Sequence, residues 1–451
     1  MTGPSFYREN DLRRLLEHRR ILIAGYGREG RSTKILLQRI LPNEKPDIVE
    51  GNEALRKVAA QHYDLIIKSP GIPSVVLDDV CDKSIVTSQT DLFLQIFGDR
   101  TIGITGTKGK STTTSLIAFV LKQHAAQSRD YDVIMAGNMG IPLFDVLDWL
   151  SERSIVVGEF SCHQLENIHR APHVGVLLNL YQEHLDHYRS YLDYQMAKMN
   201  IGLKQQQDDY FFYCGDNAVL CERVREYSQA SAGTQCLSGH VISYNLQSAQ
   251  RWIAASRHLQ GDHNLSNIEV ASRVAALYHV GEAEFRSALA DFKGLEHRME
   301  LVGTYNNITF YNDSISTIPA ATEAAVTALQ KVDTLILGGF DRGIDYTDLI
   351  RFLAIDPLGK AVRNIVFVGE AGRDMHAIAL RTGLCTSSGC AVSASRNILL
   401  EDDYNRIVPW CFSHTRPGRI CLLSPAAASY DAFKNFEERG RTFKDLVTHY
   451  V

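Results

Sequence analysis

Residues 103–112 read "GITGTKGKST" and lie between an apolar run and the helix-like "TTSLIAFVLK". A glycine-rich turn that opens a helix aims several backbone N–H groups at one point. The helix terminus adds positive partial charge, so the turn binds anions. Gly106, Thr107, Lys108, Gly109, Lys110, Ser111 and Thr112 make up this turn. Lys110 is spaced to reach the β- and γ-phosphates of a nucleoside triphosphate, and Ser111 to ligate Mg²⁺. The loop is short, because Ile104 stands where the usual pattern has its first glycine. A plain Gly/Thr turn between strand and helix is the alternative reading.

Three further residues could work beside such a loop. Glu159 closes the apolar run "SIVVGE", where a parallel sheet offers a metal ligand at its C-terminal edge; the alternative is a capping or ion-paired glutamate. "VGVLLN" ends in Asn179 and is followed by His184, in a segment that also holds Glu183, Asp186 and His187. His184 is a candidate metal ligand against the commoner structural histidine. Lys198 sits among Met196, Ala197, Met199 and Ile201. Either it snorkels to water, or desolvation and nearby cations favour its neutral, reactive amine.

The elements that must position these residues fall into three blocks, expected at 1–92, 93–299 and 300–451. In the first, a strand runs into Gly25-x-Gly27-x-x-Gly30 and then a helix, with the acidic Glu50 about twenty residues further on. "YDLIIKSPGIP" reads as a second strand ending in a turn. This is a small Rossmann-like unit, whose glycine pattern alone leaves NAD, another nucleotide or no ligand open. In the second block, apolar strands alternate with amphipathic helices, which predicts a parallel sheet covered on both faces. The third, with strands at "TLILGGF", "NIVFVGE" and "RICLLSP", is another α/β unit of Rossmann size.

Composition narrows the function classes. A chain of 451 residues is expected to form two or three domains. Hydrophobic residues at 45% and charged residues at 22% describe a globular protein. A net charge of −5 gives no global attraction for nucleic acid or acidic membranes. The nine cysteines contain no C-x-x-C pair, which fits reduced thiols better than disulfides or structural zinc. No apolar run spans a membrane and the first twenty residues lack a signal-peptide core, so a cytoplasmic protein is expected.

"TGTKGKSTTT", "EFSCHQLE", "LNLYQEHLDHY", "YQMAKMNI", "GDHNLSN", "GLEHRMEL", "YNDSIST", "LGGFDRG" and "LLSPAAASYDAFKNFEERGRTF" follow one another along most of the chain. In this order they resemble the Mur ligase family, ATP-dependent amide ligases of peptidoglycan precursor synthesis. "GEFSCHQLE", "KGLEHRME" and the last stretch are most similar to members that join D-glutamate to UDP-N-acetylmuramoyl-L-alanine. The resemblance implies three α/β domains: a Rossmann-like N-terminal domain, a central phosphate-loop ATPase domain and a Rossmann-like C-terminal domain. It implies that the muramoyl carboxylate takes the γ-phosphate of ATP and that the resulting acyl phosphate is attacked by the D-glutamate amine. By residue-to-residue match it implies that Ser111 and Glu159 hold the Mg²⁺ on ATP, and that His184 and a carbamylated Lys198 hold a second metal. Asn264, Asn267, Arg298 and Asp313 match positions around the nucleotide, Gly71 and Asn138 positions around the UDP-muramoyl substrate, and Thr317, Arg342, Ser429 and Phe436 the D-glutamate pocket. The glycine loop of the first block then holds UDP, and a monomer is expected.

Two positions depart from the pattern. Ile315 stands where many relatives have lysine, and Phe340-Asp341-Arg342 replaces the D-x-K of some members. Alternatives are another muropeptide ligase, a folylpolyglutamate synthase, which would lack the "GYGREG" block, and a nucleotide-binding switch, which leaves the C-terminal motifs without a purpose.

Overall fold

The computed structural model describes residues 5–59, 62–77, 81–138, 141–184, 187–229, 236–256, 259, 262–384 and 396–450. Three sheets follow one another along the chain, in two compact units, Met1–Phe292 and Lys293–Val451. The first sheet contains β1 (Ile21–Ala24), β2 (Asp47–Val49), β3 (Leu65–Lys68) and β4 (Val86–Thr87), ordered β2-β1-β3-β4 and parallel throughout. Alternation along these strands explains how both faces are covered. Ile21, Ile23, Leu65 and Ile67 enter one apolar cluster, and Leu22, Ala24 and Ile66 another. The helix Arg28–Ile40 packs closely on β1, and a Cβ at Gly30 would come within 2.1 Å of the Gly25 carbonyl oxygen. The third glycine of the pattern therefore serves helix–strand packing.

The second sheet contains β5 (Thr101–Thr105), β6 (Asp132–Gly137), β7 (Ser154–Glu159), β8 (Val174–Leu177), β9 (Tyr210–Cys214) and β10 (His240–Tyr244). Its order is β10-β9-β8-β5-β7-β6, again all parallel. The central strands β5, β7 and β8 are buried along their whole length, which is why they read as continuous apolar runs. β8 ends at Leu177, two residues before Asn179, which leaves the ladder to meet the phosphate loop.

Within this unit the two sheets are bridged by polar contacts. Ser32 donates to Asp145 at 2.6 Å, Gln164 donates to Glu29 at 2.7 Å, and Lys68 pairs with Glu166 at 2.9 Å.

The second unit holds β11 (Glu300–Tyr305), β12 (Ile308–Asn312), β13 (Val332–Gly338), β14 (Asn364–Val368), β15 (Asn397–Leu400) and β16 (Ile420–Leu423). The order is β11-β12-β16-β13-β14-β15, parallel except for the β11/β12 pair. Leu335, Leu337, Ile365 and Phe367 face one core, and Ile336, Val366, Cys421 and Leu423 the other. The expected α/β architecture of three sheet-based domains is what the structure has.

Candidate active site

The phosphate loop joins β5 to the helix Lys110–Ser128. Gly109, the residue before the helix, has φ +87°, a left-handed conformation that L side chains rarely adopt, and a Cβ there would meet Asn267 at 2.6 Å. The loop is held from outside. Asn179 accepts from the Lys108 N–H at 2.9 Å and donates back to the Lys108 carbonyl at 3.0 Å. The Thr107 hydroxyl lies 2.7 Å from the Tyr194 hydroxyl and accepts from the Tyr181 N–H at 2.9 Å. Neither Asn179 nor Tyr194 stands out as a loop-holding residue in the sequence; only the tertiary contact reveals them.

Lys110 donates to the carbonyls of Gly106 at 2.9 Å and Thr107 at 3.0 Å. Lys198, on the helix Tyr191–Leu203, donates to the same Gly106 carbonyl at 2.8 Å. Its ammonium lies 5.0 Å from the centre of the Tyr194 ring. Lys198 does not snorkel: only 2% of it is exposed. Burial first and the neighbouring charge of Lys110 second push its pKa down to about 7. The amine is therefore substantially neutral near physiological pH, as a nucleophilic lysine requires.

Glu159 sits at the C-terminal end of β7, in register with Ile104 of β5 and Gly137 of β6. It is 2% exposed. One carboxylate oxygen accepts from Asn138 at 2.7 Å, and the other is buried with no hydrogen-bond partner among the described residues. An orphaned buried carboxylate oxygen beside an anion-binding loop is what a hard divalent cation would satisfy. Ser111, in the first turn of the loop helix, is partly exposed. Glu159 and Ser111 thus fit the Mg²⁺ that accompanies a nucleoside triphosphate.

His184 is about two-fifths exposed at its side chain, with φ +57° and Glu183 at 3.6 Å. Its ring lies 5.0 Å from that of His163 and 6.0 Å from that of Tyr194. Asp186 lies outside the described residues. Burial and the adjacent imidazole of His187 push His163 down to about 3, so it is a neutral ring. On the helix Asp262–Leu277, Asn267 is buried against Gly109 and donates to Asn264 at 3.4 Å. Gly71, exposed, follows β3 in the first sheet, and Glu50, also exposed, follows β2.

The second unit gathers a separate set of residues at the C-terminal ends of the neighbouring strands β12, β16 and β13. Arg342, after β13, is exposed and donates to the Thr317 carbonyl, after β12, at 2.9 Å. Phe340 bridges to Ala428, beside the buried Ser429 after β16. Phe436 opens the helix Phe436–His449, and its carbonyl accepts from Ser314 at 2.8 Å. Arg439, which the sequence reading passed over, is 1% exposed. It donates to the carbonyls of Ser314 at 2.9 Å, Ala428 at 3.0 Å and Ala427 at 3.1 Å, tying the loops after β12 and β16 together. Asp313 is buried and accepts from Ser424 at 2.7 Å and Met299 N–H at 3.0 Å; burial pushes its pKa up. Arg298 is exposed, and the Ile315 N–H donates to the His297 carbonyl at 3.1 Å.

Residues 104–306 match the family model "Mur ligase middle domain". The chain is 33% identical to the UDP-N-acetylmuramoylalanine--D-glutamate ligase of Desulfitobacterium hafniense (strain DSM 10664 / DCB-2), covering 96% of this chain and 99% of that one. It is 31% identical to the protein of the same name from Geobacillus kaustophilus (strain HTA426), over 96% and 98%. Among solved structures, MurF ligase from Thermotoga maritima in complex with ADP shares the fold with TM-score 0.54 at 15% identity, over 96% of this chain and 97% of that one. End-to-end coverage of these relatives, with the phosphate loop inside the matched middle domain, means that the chain belongs to the Mur ligase family.

Proposed function

We infer that this protein is an ATP-dependent ligase that joins UDP-N-acetylmuramoyl-L-alanine to D-glutamate during peptidoglycan precursor synthesis. The observation that carries the reading is the pairing of a phosphate loop with a buried Lys198, its pKa pushed down to about 7, and the orphaned carboxylate oxygen of Glu159. The named relatives, matched over nearly their whole length, support D-glutamate as acceptor.

A carboxylate is a poor acyl donor, and phosphorylation supplies its leaving group. The chain's contribution is position and charge. The loop N–H groups from Gly106 to Thr112 cradle the phosphates, and Lys110 swings from its loop carbonyls to the β/γ oxygens. Asn264 and Asn267 border the nucleotide beside the loop, while Arg298 and Asp313, in the second unit, match nucleotide positions of the family. Mg²⁺, held by Ser111 and Glu159, neutralises phosphate charge when bound. The neutral amine of Lys198 adds to CO₂, forming an N–C bond and losing a proton, and the carbamate with His184 becomes a second cation site. Residues 1–92 bind the UDP-muramoyl substrate through the glycine loop and Gly71, with Asn138 reaching it from the central domain, 93–299. In the C-terminal domain, 300–451, Arg342, Thr317, Ser429 and Phe436 receive D-glutamate. The protein acts in the cytoplasm as a monomer.

The test is phosphate release with ATP, Mg²⁺ and UDP-N-acetylmuramoyl-L-alanine across candidate amino acids. Release that requires D-glutamate is expected. Turnover with L-alanine or a diamino acid, and none with D-glutamate, overturns the assignment.

A further inference from the structure

His163 and Glu166 are three residues apart, in and just after the short helix Cys162–Leu165, whose helical backbone continues through Glu166. That spacing puts both side chains on one face. His187, in the segment after β8, comes back onto that face. Its ring centre is 3.9 Å from that of His163, and its Nε2 is 3.2 Å from Glu166 Oε1. One donor atom from each of the three residues lies within 4.8 Å of the others.

We propose that His163, Glu166 and His187 bind a Zn²⁺-class transition-metal dication, distinct from the Mg²⁺ of the ATP site. Two imidazoles and one carboxylate suit zinc and not the oxygen-seeking Mg²⁺ or Ca²⁺, and three protein ligands leave a fourth position for water. A cavity of about 270 Å³ opens onto Glu166, His187 and Tyr188 and supplies both that water and a way in. The ligands are also held from behind, as metal ligands are. The Tyr188 hydroxyl lies 3.2 Å from His163 Nδ1. Buried Lys68, from the first sheet, lies 2.9 Å from the second oxygen of Glu166, fixing the plane of the carboxylate. Cys162, His163 and His184 form a competing set that shares His163. It lacks a carboxylate and depends on the half-exposed His184. The Glu166 and His187 side chains are 8% and 11% exposed. The bound ion would fasten the helix after β7 to the segment after β8 and, through Lys68, to the first sheet.

The experiment uses the full chain without a histidine tag, stripped by a chelator and then titrated with Zn²⁺ or Co²⁺ in excess Mg²⁺. One tightly held Zn²⁺ per chain is expected. Co²⁺ should give the visible bands of a four-coordinate nitrogen and oxygen site, with no thiolate charge-transfer band. His163→Phe and His187→Gln, each checked for native circular dichroism, should lose the ion. Tyr188→Phe should weaken it ~10-fold or more, as loss of a supporting partner does elsewhere, and keeps the test decisive should a histidine variant misfold. The proposal is overturned if wild-type protein retains no zinc in excess Mg²⁺, if both folded histidine variants retain it unchanged, or if a thiolate band places the ion on Cys162.

Discussion

Replacing Lys198 by methionine should make the protein more stable while removing its activity. The side chain is almost fully buried, and its pKa falls from 10.5 to about 7. The unfolded chain therefore binds the proton more tightly than the folded one, so stability rises with pH between these two values. At ~1.4 kcal/mol per pH unit, the cost of holding this lysine is about 5 kcal/mol at pH 7 and below, and it fades to nothing by about pH 10.5. Methionine keeps most of the volume. It gives up the hydrogen bond to Gly106, worth about 1 kcal/mol, but that carbonyl keeps Lys110 as a donor at 2.9 Å. The net gain at pH 7 is then about 4 kcal/mol, shrinking by ~1.4 kcal/mol for each unit towards pH 9. Urea melts at pH 7, 8 and 9 in CO₂-free buffer would measure it. Bicarbonate should flatten the wild-type slope, because a carbamate no longer carries the ammonium proton. Parallel stability curves for wild type and Lys198→Met across that range would refute the burial argument.

Two other substitutions test the nucleotide loop and the proposed acceptor pocket separately. Asn179→Ala removes both hydrogen bonds to Lys108, at 2.9 and 3.0 Å. At about 1 kcal/mol each, this should raise KM for ATP by roughly 10- to 30-fold with native circular dichroism, and an unchanged KM would show that the loop holds itself. Arg342→Ala leaves an acidic acceptor without its cationic partner, a loss of about 2–5 kcal/mol. KM for D-glutamate should rise ~30-fold or more while KM for ATP stays within about threefold; equal changes in both would remove Arg342 from the acceptor pocket.

What could be read from the sequence was what local pattern determines. β5, β7 and β8 are central parallel strands, so burial on both faces makes them apolar runs, and their C-terminal ends carry Gly106, Glu159 and Asn179 at the edge of the sheet. Contacts between residues distant in sequence were out of reach. Nothing near Asn179 says that its amide closes on Lys108, 71 residues earlier. Lys198 showed apolar neighbours, but its depth follows from a helix that buries Tyr194, Gln195, Ala197, Met199 and Ile201 on more than one side. Arg439, in a run of charged residues, reads as surface. Its burial rests on carbonyls of Ser314, Ala427 and Ala428, which only the return of β16 beside β12 brings together. His163 likewise shows only Glu166 near it in sequence, and its neighbours His184 and His187 arrive from beyond the next strand.

The charge balance around Gly106 connects the structure to the proposed chemistry. Two lysine side chains converge on one carbonyl, Lys110 at 2.9 Å and Lys198 at 2.8 Å. Burial first, and then the neighbouring positive charge of Lys110, disfavours the ammonium form of Lys198 and pushes its pKa down. Lys110 is the more exposed of the pair. In the proposed reaction, a triphosphate would draw Lys110 off Gly106 and leave that carbonyl to Lys198. Carbamylation would then turn the Lys198 amine into an anion beside the buried Glu159, leaving Lys110 as the cation. On that reading, the exchange would let more than one divalent ion sit next to ATP without stacking positive charge in a dry pocket. On the same reading, the burial that costs stability is also what would free the Lys198 amine to react.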